Sequence, residues 1–89
     1  MRAIVTVLGQ DRVGIIASVC AKLSEQNVNV MDINQTILNG YFTMIMLVDT
    51  DGCTTPFGEL ATSMEAYGTE EGLSIHMQRE DIFNAMHRI

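Results

Sequence analysis

Residues 3–8 (AIVTVL) form a short apolar run rich in β-branched side chains, which predicts a buried strand stopped by Gly9. The period then changes. Ile16, Val19, Cys20 and Leu23 fall at i, i+3, i+4 and i+7 and share one helical face, with Asp11 placed to cap the helix and Asn27 to end it. Residues 28–38 return to alternation, Met31, Ile33 and Ile37 against Asp32, Asn34 and Thr36. Val28 and Val30 are out of phase with Ile33 and Ile37, so this second strand calls for a bulge or strong twist near Met31 and Asp32.

Asn39-Gly40 is the sharpest local signal, because a two-residue type I′ turn needs positive φ at both central positions. It makes the second strand and residues 41–48 (YFTMIMLV) antiparallel neighbours. That third strand is apolar on both faces, with Phe42, Met44 and Met46 on one side and Tyr41, Ile45 and Leu47 on the other, so both faces should be covered. A turn at Asp49-Thr50-Asp51-Gly52 leads to Thr55 as a cap and Pro56 at a first helical position. Phe57, Leu60, Ala61 and Met64 line this second helix, which ends near Gly68 or Gly72. Leu73, Ile75 and Met77 then alternate with Ser74, His76 and Gln78 in a fourth strand, and residues 81–89 read as a short terminal helix presenting Ile82, Met86 and Ile89.

The order βαββαβ plus a tail predicts an α+β, ferredoxin-like sandwich: a four-stranded antiparallel sheet with two helices on one face and a short C-terminal helix. The 89 residues make one domain, 79–89 forming its helical tail, with no linker or repeat. Two helices cover one sheet face only. A second copy of the chain is the simplest cover for the other, so a homodimer or higher homo-oligomer is expected.

Composition supports that expectation, since 47% apolar content with 18% charged residues is more apolar surface than so small a monomer easily buries. A net charge of −6, with the five basic residues scattered, disfavours nucleic acid as a direct partner. No run approaches the ~20 apolar residues that span a bilayer, so no membrane role is expected and the cytoplasm is the default location. Cys20 and Cys53 lack CxxC spacing, and neither His76 nor His87 has a His or Cys partner at i+4. Neither a disulfide framework nor a metal site is indicated. No nucleophile, base and orienting group stand together, so no catalytic residue and no cofactor is assigned.

The segment joining the first strand to the first helix has two glycines, Gly9 and Gly14, separated by four residues, as a phosphate-binding loop does. Ile15 and Ile16 stand where such a loop has lysine and a hydroxyl residue, and Asp11 brings negative charge, so nucleotide hydrolysis is excluded. What is left is a helix N-terminus with free backbone N–H groups, suited to a carboxylate, or a turn whose glycines serve packing alone.

Asp11-Arg12-Val13-Gly14-Ile15-Ile16-Ala17, then Val28-Asn29-Val30 and Asp32-Ile33-Asn34-Gln35-Thr36, resemble the ACT domain over essentially the whole chain. The likeness is nearest to stand-alone ACT-domain proteins of bacteria and archaea, and the chain is also similar to the ACT modules of formyltetrahydrofolate deformylase and the glycine-cleavage repressor. Many relatives carry proline where this chain has Val13, which makes the turn here less rigid. The resemblance implies a regulatory domain that binds an effector amino acid at a subunit interface, between this turn of one chain and the second strand of another. It makes Gln10, Asp11, Arg12, Val13, Gly14 and Ile15 the turn receiving the ligand carboxylate, and Asp32 and Asn34 the acceptors of its ammonium. Donors at one end and acceptors at the other suit a zwitterion. Asp32 and Asn34 equally fit a solvated strand face or a polar dimer contact, and the chain as a whole equally fits a structural interaction module without a ligand.

Overall fold

The computed structural model describes residues 1–86, so His87 and Ile89 of the expected tail lie outside the described residues. Seven elements follow the expected order: β1 (Arg2–Gln10), α1 (Ile15–Glu25), β2 (Asn29–Leu38), β3 (Tyr41–Asp49), α2 (Phe57–Glu70), β4 (Ser74–Arg79) and α3 (Glu80–Met86). The strands form one antiparallel sheet in the order β2-β3-β1-β4, the ferredoxin-like arrangement. Among the described residues no helix is long and apolar enough to cross a membrane.

One face of the sheet is closed by the helices. Ala3, Val5 and Val7 of β1, Phe42, Met44, Met46 and Val48 of β3, and Ile75 and Met77 of β4 pack against Ile15, Val19 and Leu23 of α1 and Leu60 and Met64 of α2. Gly68 lets α2 lie close on β4, since a Cβ there would stand 2.9 Å from the carbonyl oxygen of Leu73 and 2.8 Å from the Ile75 side chain. Both long helices end in a Schellman motif. Val28 and Asn27 donate to the carbonyls of Leu23 and Ser24, while Leu73 and Gly72 donate to those of Gly68 and Thr69. Asn27 at φ 58° and Gly72 at φ 71° take the left-handed position that the motif demands, and the next residue, Val28 or Leu73, turns into the core.

The opposite face is open. Alternation puts Ile4, Thr6 and Leu8 of β1 beside Leu47, Ile45 and Thr43 of β3, which in turn stand beside Asp32, Asn34 and Thr36 of β2. Tyr41, Ile45 and Leu8 are substantially exposed there, so within one chain β3 is covered on its helix side only. Arg2 holds Glu80 through a forked pair, Nε to Oε1 at 3.0 Å, and ties the start of α3 to β1.

Several local expectations are corrected. Gly9 does not stop β1, because the strand runs on to Gln10 with Gly9 paired to Phe42. A Cβ at Gly9 would meet Leu73 Cδ2 at 2.6 Å, so the glycine serves the passage of the chain entering β4. Asp11 does not cap α1. The N-cap is Gly14, and Asp11 lies three residues upstream, where its N–H bonds the carbonyl of Gly40 at 2.9 Å. Thr55 does not cap α2, and Pro56 is the N-cap rather than the first helical residue, because its ψ of 145° is still extended. The Thr55 hydroxyl donates instead to Gln26 Oε1 at 3.2 Å, linking this loop to the end of α1. The second helix passes through Gly68 and ends at Glu70, near Gly72 as expected, whereas the last helix begins at Glu80 rather than Asp81.

Candidate functional site

The turn between β1 and α1 is anchored at both sides and bare at its apex. The Asp11 N–H fixes it to the β2–β3 hairpin, and Arg12 Nη1 donates to the Glu71 carbonyl at 3.2 Å, satisfying an acceptor at the C-terminus of α2. Gln10, Asp11, Arg12, Val13 and Gly14 are all exposed, Val13 completely so. Gly14 stands at φ 90°, a left-handed conformation in which any side chain is strained, although nothing lies within 4 Å of where a Cβ would be. No side chain caps α1, so its first N–H groups face outward at the positive end of the helix dipole. Ile15 takes part through its backbone alone, since its side chain is 2% exposed and belongs to the core.

Asp32 and Asn34 occupy a different place. The register of β2 against β3 shifts between Val30 and Asp32: Val30 pairs with Val48 and Asp32 with Leu47, leaving Met31 as the extra residue of a bulge. The bulge inverts the phase of the strand. It puts Asp32 and Asn34 on the open face and Ile33 and Ile37 on the helix side, where the helices do not reach and both stay exposed. Asp32 Oδ1 accepts the Ile33 N–H at 2.9 Å, which orients the carboxylate. Among the described residues no cation pairs with Asp32, and Asn34 makes no side-chain hydrogen bond. The two border a depression of about 140 Å³ whose remaining walls are Ile4, Ile45 and Leu47.

The turn and the strand residues are not brought together within one chain. Asp32 lies in the cross-strand row of Ile4 and Asn34 in that of Thr6, whereas the turn leaves the sheet after Gln10. Four to six residues along β1 separate them, about 13–20 Å at ~3.3 Å per residue.

The other reactive groups stand apart. His76 is exposed on the edge strand, its Nδ1 3.5 Å from Glu65 Oε1 of α2. Cys20 and Cys53 are free and half-buried, and burial raises the Cys20 thiol above its ordinary value. Among the described residues no three His, Cys, Asp or Glu side chains cluster as metal ligands would. A larger open hollow of about 600 Å³ lies outside α2, lined by Pro56, Gly58, Glu59, Thr62 and Ser63, away from both candidate segments. The sequence pattern does not single it out, because small and polar residues on an outward helix face are the ordinary solvated surface.

Comparison with known proteins agrees with this architecture. The chain is 51% identical over 89 residues to a UPF0237 protein of Listeria innocua, with all of both chains covered. It is 53% identical over 88 residues to one of Bifidobacterium longum, covering 99% of this chain and 98% of that one. A solved ACT domain protein from Streptococcus pneumoniae superposes with a TM-score of 0.83 at 41% identity, over 98% of each chain. The fold alone is shared with a formyltetrahydrofolate deformylase from Pseudomonas putida, at TM-score 0.77 and 14% identity over 91% of this chain and 29% of that one. It is likewise shared with a glycine cleavage system transcriptional repressor, at TM-score 0.72 and 23% identity over 86% of this chain and 44% of that one. The family model of the ACT domain matches residues 2–78, and the chain belongs to the ACT domain family.

Proposed function

We propose that this chain is a non-catalytic regulatory domain that binds a small amino acid or similar metabolite at a homodimer interface in the cytoplasm. The ligand carboxylate meets the N-terminus of α1 in one protomer, and its ammonium meets Asp32 and Asn34 of the other. The observation that carries this reading is the uncapped start of α1, opening on an exposed, pinned turn with Gly14 in the left-handed conformation. An α-amino acid carries its carboxylate and ammonium on one carbon atom, whereas in a single chain the turn lies about 13 Å from Asn34 and about 20 Å from Asp32 by register. Both ends are met at once when the two halves of the site come from different copies. Two free thiols accord with a reducing compartment.

A second reading, a structural interaction module without a ligand, is favoured by the exposed Ile33 and Ile37 on the helix side of β2. They fit an apolar contact with another chain as well as they fit the border of a ligand site. Thermal unfolding in the presence of individual amino acids separates the two. A ligand held by the folded state stabilises it by about 2.7 kcal/mol at a hundredfold excess over Kd, and the melting temperature rises with concentration. A panel that leaves the melting temperature unmoved supports the module. Light scattering on the same samples is expected to report twice the mass of one chain, and a stable monomer at micromolar concentration contradicts the interface.

A further inference from the structure

Asn39-Gly40 closes the β2–β3 hairpin and also sets a side-chain amide beside an unengaged backbone nitrogen. The chain has five asparagines, at 27, 29, 34, 39 and 84, and Asn39 is the one followed by glycine. Both tip residues are exposed, with φ 55° and 85°. Among the described residues the Asn39 side chain makes no hydrogen bond, and the Gly40 N–H donates to no carbonyl. Nothing lies within 4 Å of where a Gly40 Cβ would stand, so approach to its nitrogen is uncrowded. The other asparagines are placed differently. After Asn27 comes Val28, which is buried and donates its N–H to the Leu23 carbonyl at 3.1 Å. Asn29 and Asn34 precede Val30 and Gln35, which pair with Val48 and Met44 in the sheet, and Asn84 lies inside α3 before Ala85. Each of these four therefore has a neighbour with a Cβ beside the nitrogen and with dihedrals fixed by its surroundings.

We infer that Asn39 is a site of covalent self-modification, where the side-chain amide, one of the thermally labile groups of proteins, is lost as ammonia. The Gly40 nitrogen, deprotonated by solvent, forms a bond to Asn39 Cγ, and the Cγ–Nδ2 bond breaks as ammonia leaves. A five-membered succinimide ring results. Water then opens the ring at either carbonyl, so the sum is one amide and one water giving one carboxylate and one ammonium, with no oxidant or reductant. Closure turns Asn39 ψ out of the turn, and because Leu38 and Tyr41 form the last pair of the ladder, that rotation breaks no strand pairing. Opening at Cγ leaves an ordinary Asp-Gly pair, which also suits a type I′ turn. Opening at the main-chain carbonyl gives isoaspartate, which routes the backbone through Cβ and adds a methylene to a two-residue loop whose length sets the strand register. This second product shifts the Gly40 carbonyl away from the Asp11 N–H, a bond of 2.9 Å, and releases the hairpin's hold on the β1–α1 turn.

Timed incubation of the full chain below its melting temperature, followed by peptide mass mapping, tests the site. Asn39→Gly is the control, because Gly-Gly is also a type I′ pair and carries no amide. The expected result is severalfold faster amide loss at Asn39 than at any other asparagine, rising with pH as the attacking nitrogen is deprotonated. Hydrogen exchange at the Asp11 amide is expected to quicken severalfold in the isoaspartate-containing protein, and to be unchanged by the same incubation in Asn39→Gly. Earlier amide loss at another asparagine overturns the site. So does loss at Asn39 in denaturant but not in the folded chain, since the turn would then shield the amide. Isoaspartate at position 39 with unaltered exchange at Asp11 overturns the release of the turn.

Discussion

Asp32 stands directly across from Leu47, although Val30, two residues earlier, stands across from Val48, so three residues of β2 face two of β3. Met31 absorbs the difference. Were it paired in regular register, Asp32 would face Met46 and point to the helix side of the sheet, away from the depression. The bulge thus places this acid at the edge of the aliphatic depression on the open face.

Asp32→Asn keeps the shape and removes the charge. Because Asp32 is exposed and unpaired with any described cation, melting temperature and dimer mass are expected to stay unchanged. Affinity for a zwitterionic amino acid is expected to fall about tenfold to hundredfold, as for the loss of a charged hydrogen bond of about 1.5–3 kcal/mol. Calorimetric titration of both proteins reads this directly. Equal affinities would remove Asp32 from the site and leave the turn as the remaining contact.

Gly14 and Gly58 form a matched pair for the backbone argument. A Cβ meets nothing within 4 Å at either position, but only Gly14 has a left-handed φ, at +90°. Gly14→Ala is therefore expected to cost about 1–2 kcal/mol, lowering the melting temperature by roughly 4–8 °C per kcal/mol in a domain of this size. Gly58→Ala, in the first turn of α2, is expected to stabilise by about 0.4–1 kcal/mol. Thermal melts of the two variants should shift in opposite directions, and a shift of the same sign would contradict the assigned conformation of the turn.

Burial raises the Cys20 thiol above its ordinary value of 9.0, so the folded state favours the protonated form. Below pH 9 both states hold the proton and the full stability is present. As pH rises further the unfolded chain releases its proton first, and stability declines until the pH passes the folded value. Cys20→Ala is expected to flatten this part of the alkaline decline, as read from denaturant midpoints on either side of pH 9. An identical slope in the variant would refute burial as the cause.

Much of this was legible from residue order. Asn39-Gly40 announces the hairpin and adopts φ 55° and 85°, as a type I′ turn requires. The phase break between Val30 and Ile33 announces the bulge, because a strand cannot turn both sets to one side of the sheet without an extra residue. The caps were not legible. Asp11 and Thr55 have the right chemistry, but the helix starts are set by the φ of Gly14 and the ψ of Pro56; Asp11 is held upstream by its backbone N–H, and the Thr55 hydroxyl bonds Gln26. The obstacle to a side chain at Gly14 is likewise backbone strain and not crowding, which only coordinates reveal. Gly68 and Gly9 look like breaks in the pattern, whereas they are where α2 and the approach to β4 come too close for a Cβ. The separation of the turn from Asp32 is a matter of register across two strand pairings, and no local pattern encodes it.

The central claim is a site divided between two chains, and mixing two singly defective proteins tests it most directly. Asp32→Asn chains lack the ammonium acceptor and keep the turn; Gly14→Ala chains lack the turn geometry and keep Asp32. After subunit exchange at equal ratio, half of the dimers are mixed, and each mixed two-fold dimer rebuilds one of its two sites from intact halves. Calorimetry with the amino acid that stabilises the parent protein is then expected to show weak binding for each variant alone. The mixture should recover parent-like affinity at about one quarter of the parent's capacity. Full exchange with no recovered binding would contradict the account and return both halves of the site to a single chain.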